Sequence, residues 1–363
     1  MDFTQADHRF MARALQLAAR GLYTTDPNPR VGCVLVKDGK IIGEGWHERA
    51  GEGHAEIRAL ENAGAAQGAT VYVTLEPCCH QGRTPPCTDA LIAAGVAQVV
   101  AAMEDPNPRV AGEGLAQLAA AGIKVSSGLM AAEVGALNPG FVKRMRTGRP
   151  FVRSKLAMSL DGRTAMASGE SKWITCAEAR ADVHRLRARS SALMTGVGTV
   201  LADDPSLTAR LDGVERQPLR VVVDTHLSMP ETARMLSQPG RTLVLTTQDE
   251  PDEMQRLQEA GAEVIPMPRH GNSVDLQAVL DHLGSMDVNE VMLEMGATLG
   301  GAMLQAGLID EMVFYVAPVL MGFEARGLFR LPGLETMDQR IHLDIVDQRM
   351  VGKDWRITAK VKG

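Results

Sequence analysis

Hydrophobic positions in the first 147 residues alternate between two periods. Residues 4–20 put Phe10, Ala14, Leu17 and Ala18 on one face at helical spacing. Val31 to Val36 and Lys40 to Gly45 are apolar-rich runs flanking Asp38-Gly39, the signal of a tight β-hairpin. The pattern then predicts a helix from His54 to about Ala63, a strand over Thr70 to Leu75 and a helix from Cys87 to Ala94 stopped by Gly95. A strand over Val96 to Ala102, a helix over 112–121 and a strand from Ile123 to Ser126 complete the series. Strands separated by helices imply a mostly parallel sheet covered on both faces.

Lys143-Arg-Met-Arg-Thr-Gly-Arg-Pro150 is polar and basic with Gly and Pro, and reads as a linker. It divides the chain into domains 1–147 and 148–363. A second α/β series follows, with predicted strands at 151–158, 192–197, 219–224, 242–247, 262–266, 290–295 and 311–319. Its predicted helices lie near 177–190, 275–284 and 299–306, with a closing hairpin over 343–361. A length of 363 residues exceeds what one core usually spans, in keeping with two domains. Hydrophobic content of 45% and charged content of 23% are those of an ordinary soluble protein.

Charge and cysteine usage narrow the function classes. The net charge is −6, and residues 1–147 hold fourteen Lys/Arg against fifteen Asp/Glu, so that half lacks the basic surplus of a polyanion binder. Five cysteines, an odd number in a long chain, argue against a disulfide framework and for a reducing, cytoplasmic setting. Asp2, Asp7, Arg13 and Arg20 break up the N-terminal segment, which therefore has no signal-peptide core. The longest near-apolar run, Ala90 to Met103, is too short to cross a bilayer and contains Gln98.

The strongest chemical signal is His54-Ala55-Glu56 followed by Glu76-Pro77-Cys78 and Cys87. A zinc ion that activates water takes three protein ligands and keeps one position open. One imidazole and two thiolates fill that requirement, and Glu56 is placed to carry protons without binding metal. The His-x-Glu…Pro-Cys…Cys pattern belongs to zinc-dependent deaminases of nucleobases and related aminopyrimidines. His54 and Glu56 would diverge in mid-helix, but side chains of a first turn can converge beyond the helix end. Cys87, after Pro85-Pro86, also falls at a helix start, where the dipole favours thiolate.

Blander readings stand beside this one. Cys79 or His80 could close a four-ligand structural site, or the cysteines could simply be buried. Asn28, between two prolines, could read a pyrimidine edge or be an ordinary turn residue. His80, Gln81 and Arg83 could contact substrate or its phosphate, or form a solvated loop.

The second half is less decisive. It has no Gly-x-Gly-x-x-Gly after a first strand, so a Rossmann site is not supported. Gly296-Ala-Thr-Leu-Gly-Gly-Ala302 follows a predicted strand and opens a helix, which suits either a phosphate at the helix N-terminus or a close-packed turn. Arg187 and Arg210 suit a phosphate, although from spacing alone an exposed charged face is the better reading. Trp173 could stack on a cofactor or belong to the core. Lys155 stands out in an otherwise apolar strand, because burying an unpaired ammonium is costly.

The run Thr74-Leu-Glu-Pro-Cys-Cys-His-Gln-Gly-Arg-Thr-Pro-Pro-Cys87, with Pro27-Asn-Pro-Arg-Val-Gly-Cys33, closely resembles the bifunctional riboflavin-biosynthesis deaminase/reductase family. In that family an eight-residue insertion separates the two cysteine ligands, as between Cys78 and Cys87 here. The resemblance continues through Gly162 to Ser171 and Leu201 to Pro205, so it covers essentially the whole chain. One departure is Cys79, where the family commonly has serine.

The resemblance implies a cytidine-deaminase-like three-layer α/β/α domain followed by a dihydrofolate-reductase-like α/β domain. It implies Zn²⁺ on His54, Cys78 and Cys87, with Glu56 as proton carrier and Asn28 reading the substrate. The implied substrate is 2,5-diamino-6-ribosylamino-4(3H)-pyrimidinone 5′-phosphate, deaminated at C2. NADPH then reduces the ribosyl group at C1′. The family's cofactor positions fall on Ala157, Trp173, Thr199, Asp203, Thr225 and the turn Gly296, Ala297, Thr298, Leu299, Gly300, Gly301, Ala302. Its substrate positions fall on Ser171, Arg187, Leu207, Arg210 and Glu294, and Lys155 or Glu294 is the proton donor. The family likeness also implies a homo-oligomer paired through the reductase domain. The alternative, a nucleic-acid-editing zinc deaminase with an accessory RNA-binding domain, requires a basic groove rich in aromatics. Aromatics make up only 4% of the chain.

Overall fold

The computed structural model describes residues 3–80, 85–108, 110–214 and 216–362. The chain divides into two compact units, Met1–Gly148 and Arg149–Gly363.

In the first unit, α1 (Gln5–Ala18) starts at a capping box in which the Thr4 side chain and Asp7 satisfy each other's backbone N–H. It buries Phe10, Met11, Ala14, Leu17 and Ala18. The hairpin β1 (Gly32–Lys37) and β2 (Lys40–Trp46) turns at Asp38 and Gly39, both at positive φ (52° and 71°). The order continues α2 (Ala55–Glu61), β3 (Thr70–Val73), α3 (Cys87–Ala93), β4 (Gln98–Ala101), α4 (Glu113–Ala120), β5 (Lys124–Ser127), α5 (Ala131–Leu137) and α6 (Pro139–Thr147). The sheet order is β2-β1-β3-β4-β5, antiparallel across β2-β1-β3 and parallel across β3-β4-β5. One core lies between this sheet and α2, α3 and α4, with Cys33, Ala59, Val73, Leu91 and Leu118 fully buried. A second lies on the other face, where Met11, Ala14, Leu17, Val34 and Val134 bring in α1 and α5. The result is three layers, helix–sheet–helix.

The approach of α2 to the sheet is set by a missing side chain. A Cβ at Gly45 in β2 would sit 2.4 Å from the Ala55 carbonyl oxygen, so only glycine lets the helix start rest there. That contact places His54 and Glu56.

The linker expected over 143–150 is corrected. Lys143 to Thr147 are the last turns of α6. Pro139 occupies the first turn, Arg144 and Arg146 lie at the negative end of the dipole, and Gly148 closes the helix at φ 75°. The basic residues that read as a solvated linker are those a helix C-terminus favours.

The second unit is built on a nine-stranded sheet. Its elements are β6 (Phe151–Ser159), β7 (Arg163–Ala165), α7 (Ala177–Arg189), β8 (Ala192–Gly196), α8 (Val197–Asp203), β9 (Leu219–Val223), β10 (Thr242–Thr246) and α9 (Pro251–Glu259). Then come β11 (Glu263–Pro266), β12 (Arg269–His270), β13 (Ser273–Val274), α10 (Leu276–Ser285), β14 (Glu290–Leu293) and α11 (Ala297–Gln305). The last are β15 (Glu311–Ala317), β16 (Arg326–Gly327), β17 (Leu343–Val351) and β18 (Asp354–Val361). The order is β11-β10-β9-β8-β14-β6-β15-β18-β17, parallel from β11 to β15 and antiparallel beyond; β12-β13 and β16-β7 are separate two-stranded ribbons. One face of the large sheet packs on α10 and α11 through Val279, Leu283 and Met303, and the other on α7 and α9 through Leu186 and Leu257.

Candidate active sites

The site of the first unit gathers at three chain ends. His54 is the N-cap of α2, Cys87 is the first residue of α3, and Cys78 lies in the loop that follows β3. His54 Nδ1 lies 3.3 Å from Cys87 Sγ and 3.4 Å from Cys78 Sγ. Tetrahedral zinc with its usual bond lengths holds a nitrogen and a sulfur about 3.6 Å apart. The donor set and its spacing therefore fit zinc. Among the described residues no fourth His, Cys, Asp or Glu donor joins these three within 4.8 Å. Cys79, His80 and Glu113 gather separately, with Cys79 Sγ 2.9 Å from His80 Nδ1 and His80 Nε2 3.7 Å from Glu113. The grouping is thus three-ligand and open rather than a closed structural site.

Glu56 sits in the first turn of α2 and is 3% exposed. Burial pushes its carboxyl up to about 7, a value suited to exchanging protons near neutrality. Cys78 accepts from the Cys87 thiol and from His54, which pulls it down to about 4, whereas the same thiol contact and burial push Cys87 up. The hydrogen bond to Cys78 raises His54.

Two residues of this site escaped the sequence reading. Glu76 stands within the motif, but nothing in its type or spacing announces a task. Its carboxylate, 4% exposed, accepts from the backbone N–H groups of Asp105 (2.9 Å), Gly112 (2.9 Å), Gly114 (2.8 Å) and Leu115 (3.2 Å). That ties the segment bearing Cys78 to the start of α4. His47 donates from Nδ1 to the Gly53 carbonyl at 3.2 Å, which leaves Nε2 to accept from Asn28 Nδ2 at 3.0 Å. Its ring meets His54 edge-on, 5.6 Å between centroids. Asn28 is thereby held beside the zinc-ligand set by a residue that carried no signal of its own. Gln81 and Arg83 lie outside the described residues.

In the second unit the residues picked out from the sequence line the carboxyl edge of the parallel strands, where open α/β sheets bind ligands. Ala157 lies near the end of β6, Thr199 follows β8 in α8, Thr225 follows β9 and Gly296 follows β14. Thr199 Oγ1 would lie 3.7 Å from a Cβ placed on Gly296, so two of them meet. Asp203 ends α8 and accepts from Ser171 Oγ at 3.5 Å, while its carbonyl accepts from Lys172 Nζ at 3.3 Å. Trp173 is 71% exposed with the Arg180 guanidinium 4.6 Å above its ring, which removes the core reading. Leu207 is buried at positive φ (43°).

The turn Gly296–Ala302 divides in two. Gly296, Ala297, Thr298 and Leu299 form the N-cap and first turn of α11, whose N–H groups lack helical partners. Gly300 and Gly301 are buried, and a Cβ on Gly301 would lie 1.9 Å from the Arg330 carbonyl oxygen. Close packing accounts for the second pair.

Lys155 is not an unpaired ammonium. Its Nζ lies 3.2 Å from Glu294, which Arg187 also grips through Nε at 2.6 Å and Nη2 at 2.9 Å. Burial alone would raise the Glu294 carboxyl, but the charges and hydrogen bonds of Arg187 and Lys155 hold it well below the carboxylate range. A carboxylate so held keeps its charge at neutral pH. Arg187, with a side chain 15% exposed, does not belong to an exposed charged face. Arg210 is exposed and lies against His184, a residue the sequence did not single out.

Comparison with known proteins bears on both units. Residues 4–103 match the cytidine and deoxycytidylate deaminase zinc-binding region, and residues 150–357 match the RibD C-terminal domain. The chain is 53% identical to the riboflavin biosynthesis protein RibD of Escherichia coli (strain K12), over 96% of this chain and 97% of the relative. The solved structure of Acinetobacter baumannii RibD, form 1, superimposes with a TM-score of 0.92 at 46% identity, covering 99% of both chains. That of a Thermotoga maritima diaminohydroxyphosphoribosylaminopyrimidine deaminase/5-amino-6-(5-phosphoribosylamino)uracil reductase gives 0.88 at 34% identity, covering 98% of this chain and 99% of the other.

Proposed function

The chain belongs to the bifunctional riboflavin-biosynthesis family that joins a zinc-dependent deaminase to an NADPH-dependent reductase, and on that premise we propose which residues carry each reaction. Residues 1–147 are assigned the hydrolytic deamination of 2,5-diamino-6-ribosylamino-4(3H)-pyrimidinone 5′-phosphate. Residues 148–363 are assigned the reduction that opens the ribosyl group to a ribityl chain, giving 5-amino-6-(ribitylamino)uracil 5′-phosphate.

In the first reaction His54, Cys78 and Cys87 hold zinc, which when bound supplies Lewis-acid activation of water. Glu56 carries two protons in turn, both from the water that is consumed, the first to the ring nitrogen and the second to the departing amine. Asn28, its amide nitrogen engaged by His47, has its carbonyl oxygen available to accept from a pyrimidine N–H. In the second reaction NADPH, when bound, would supply the hydride. Ala157, Trp173, Thr199, Asp203, Thr225 and the first turn of α11 position the cofactor. Ser171, Leu207 and Arg210 position the substrate. Lys155, anchored by Glu294, stands ready to hand over a proton as C1′ is reduced, and Arg187 fixes Glu294.

The observation that carries this reading is the convergence of one imidazole and two sulfurs, with the buried Glu56 carboxyl close by but outside that donor set. The test is Glu56→Gln in the full chain. Zinc content should be retained and ammonia release should fall by about 10²–10⁴-fold, the usual worth of general acid–base catalysis. NADPH oxidation on pre-deaminated substrate should persist. Normal ammonia release by this variant overturns the assignment.

Self-association through the second unit is part of the proposal. Ile345 (62% exposed) and Met350 lie on the edge strand β17, and Leu320 and Phe323 (85%) follow β15, exposed apolar side chains of the kind that pairing covers. No helix among the described residues is long and apolar enough to cross a membrane. The cytoplasm is the proposed location, in keeping with five cysteines none of which is in a disulfide.

A further inference from the structure

The loop after β3 carries a second thiol. Cys79 follows Cys78 directly, at the position where serine is common in the resembling family. Its Sγ lies 2.9 Å from His80 Nδ1 and 4.0 Å from the Glu113 carboxylate. One donor atom from each of the three lies within 4.8 Å of the others. An exposed ion pair accounts for His80 Nε2 and Glu113, 3.7 Å apart, but it contributes little and gives no reason for a thiol to join them. A soft divalent ion gives one. Thiolate, imidazole and carboxylate are the donors zinc takes, and thiolate with carboxylate cancels the charge of the ion once the thiol proton has passed to solvent. Zinc-bound sulfur and nitrogen lie about 3.6 Å apart, so the contact between Cys79 and His80 needs to open by roughly 0.7 Å.

The backbone beneath the trio is already fixed. Glu76 accepts from the N–H groups of Gly112 at 2.9 Å and Gly114 at 2.8 Å, the residues on either side of Glu113. A Cβ on Gly114 would lie 2.1 Å from the Pro77 carbonyl oxygen, so only glycine lets the start of α4 rest on the segment that bears both cysteines. Glu113 is thus held opposite Cys79 before any ion arrives, which lowers the ordering cost of binding.

We propose that Cys79, His80 and Glu113 form a second, solvent-exposed site for a soft divalent ion such as zinc, with water completing the coordination. It shares no ligand with the His54, Cys78 and Cys87 set.

The test uses the full chain, stripped of metal by a chelator and titrated with Co²⁺ as the probe. The sulfur-to-cobalt charge-transfer band is read, and equilibrium dialysis against Zn²⁺ counts the ions. The wild type should take two equivalents, the second adding about half the absorbance of the first, one sulfur against two. Cys79→Ser should lose the second increment and keep the first, and Cys78→Ala should do the reverse. Glu113→Gln should weaken the second equivalent at least about tenfold, the effect of losing one charged ligand, and leave the first unmoved. Excess Mg²⁺, a hard ion, should displace neither. A wild type that shows only the Cys78-dependent increment, or a second increment that survives in Cys79→Ser, overturns the proposal. Loss of both increments in Cys79→Ser with the circular dichroism unchanged would mean one shared cluster, and overturns it too. A wild type that shows only the Cys79-dependent increment would instead sink the zinc assignment of the first site and leave this one standing.

Discussion

The two sites are built by opposite means. In the first unit the three donors lie within 33 residues of one another, each at a helix start or in a loop, and chemistry limits which residue types can serve. In the second unit Glu294 reaches across 107 residues to Arg187, and the pieces line up only because parallel strands end on one edge. A metal site advertises itself by residue type and spacing. A cofactor edge made of backbone, small residues and generic charges does not.

The sharpest test of that contrast removes one sulfur. Cys78→Ala should lose zinc and deamination together, while NADPH oxidation on pre-deaminated substrate continues. Metal analysis alongside the two assays checks it. Loss of both activities would mean the units depend on each other, and the separation drawn here would fall.

Glu294→Gln should act more diffusely. It removes the negative charge between Lys155 and Arg187, and breaking a buried ion pair typically costs about 3–5 kcal/mol. Reductase activity and the urea midpoint of the second unit should fall together, with ammonia release kept. An unchanged midpoint would show that the trio is not a mutual support. The contrast with Cys78 is then direct, one change erasing a reaction and the other also loosening a domain.

These expectations mark how far the sequence could be read. Strands and helices with clear periodicity, such as α1 and the 38–39 hairpin, lie where the pattern puts them, because burial of one face decides both pattern and structure. The segment 143–147 misled, since basic residues serve a helix C-terminus as well as a linker. The polar helix α9 carries only one fully buried side chain, Leu257, and left too thin a stripe to detect. Glu76, His47 and His184 were invisible for a different reason. Each acts through backbone groups or through another side chain, and neither kind of contact leaves a spacing in the chain. Lys155 was noticed only as an anomaly, and its partner is visible only once β6 and β14 are side by side.

A smaller effect divides the glycine turn after β14. Gly301→Ala would set a methyl group against the Arg330 carbonyl, and overpacking of this sort costs about 1–3 kcal/mol. A lower thermal midpoint with KM for NADPH within about twofold once the protein is folded would assign Gly301 to packing. A selective rise in KM would return it to the cofactor.

The smallest expected change concerns Trp173. An aromatic ring 71% exposed and capped by Arg180 contributes little core burial, so its removal should cost the fold less than about 0.5 kcal/mol. Stacking on a cofactor ring is worth about 0.5–1.5 kcal/mol, so Trp173→Ala should raise KM for NADPH roughly two- to tenfold. Deamination should be untouched. A fallen melting temperature with an unaltered KM would place the ring with the packing residues. The first turn of α11 and the neighbouring strand ends would then be left to position the cofactor without that ring.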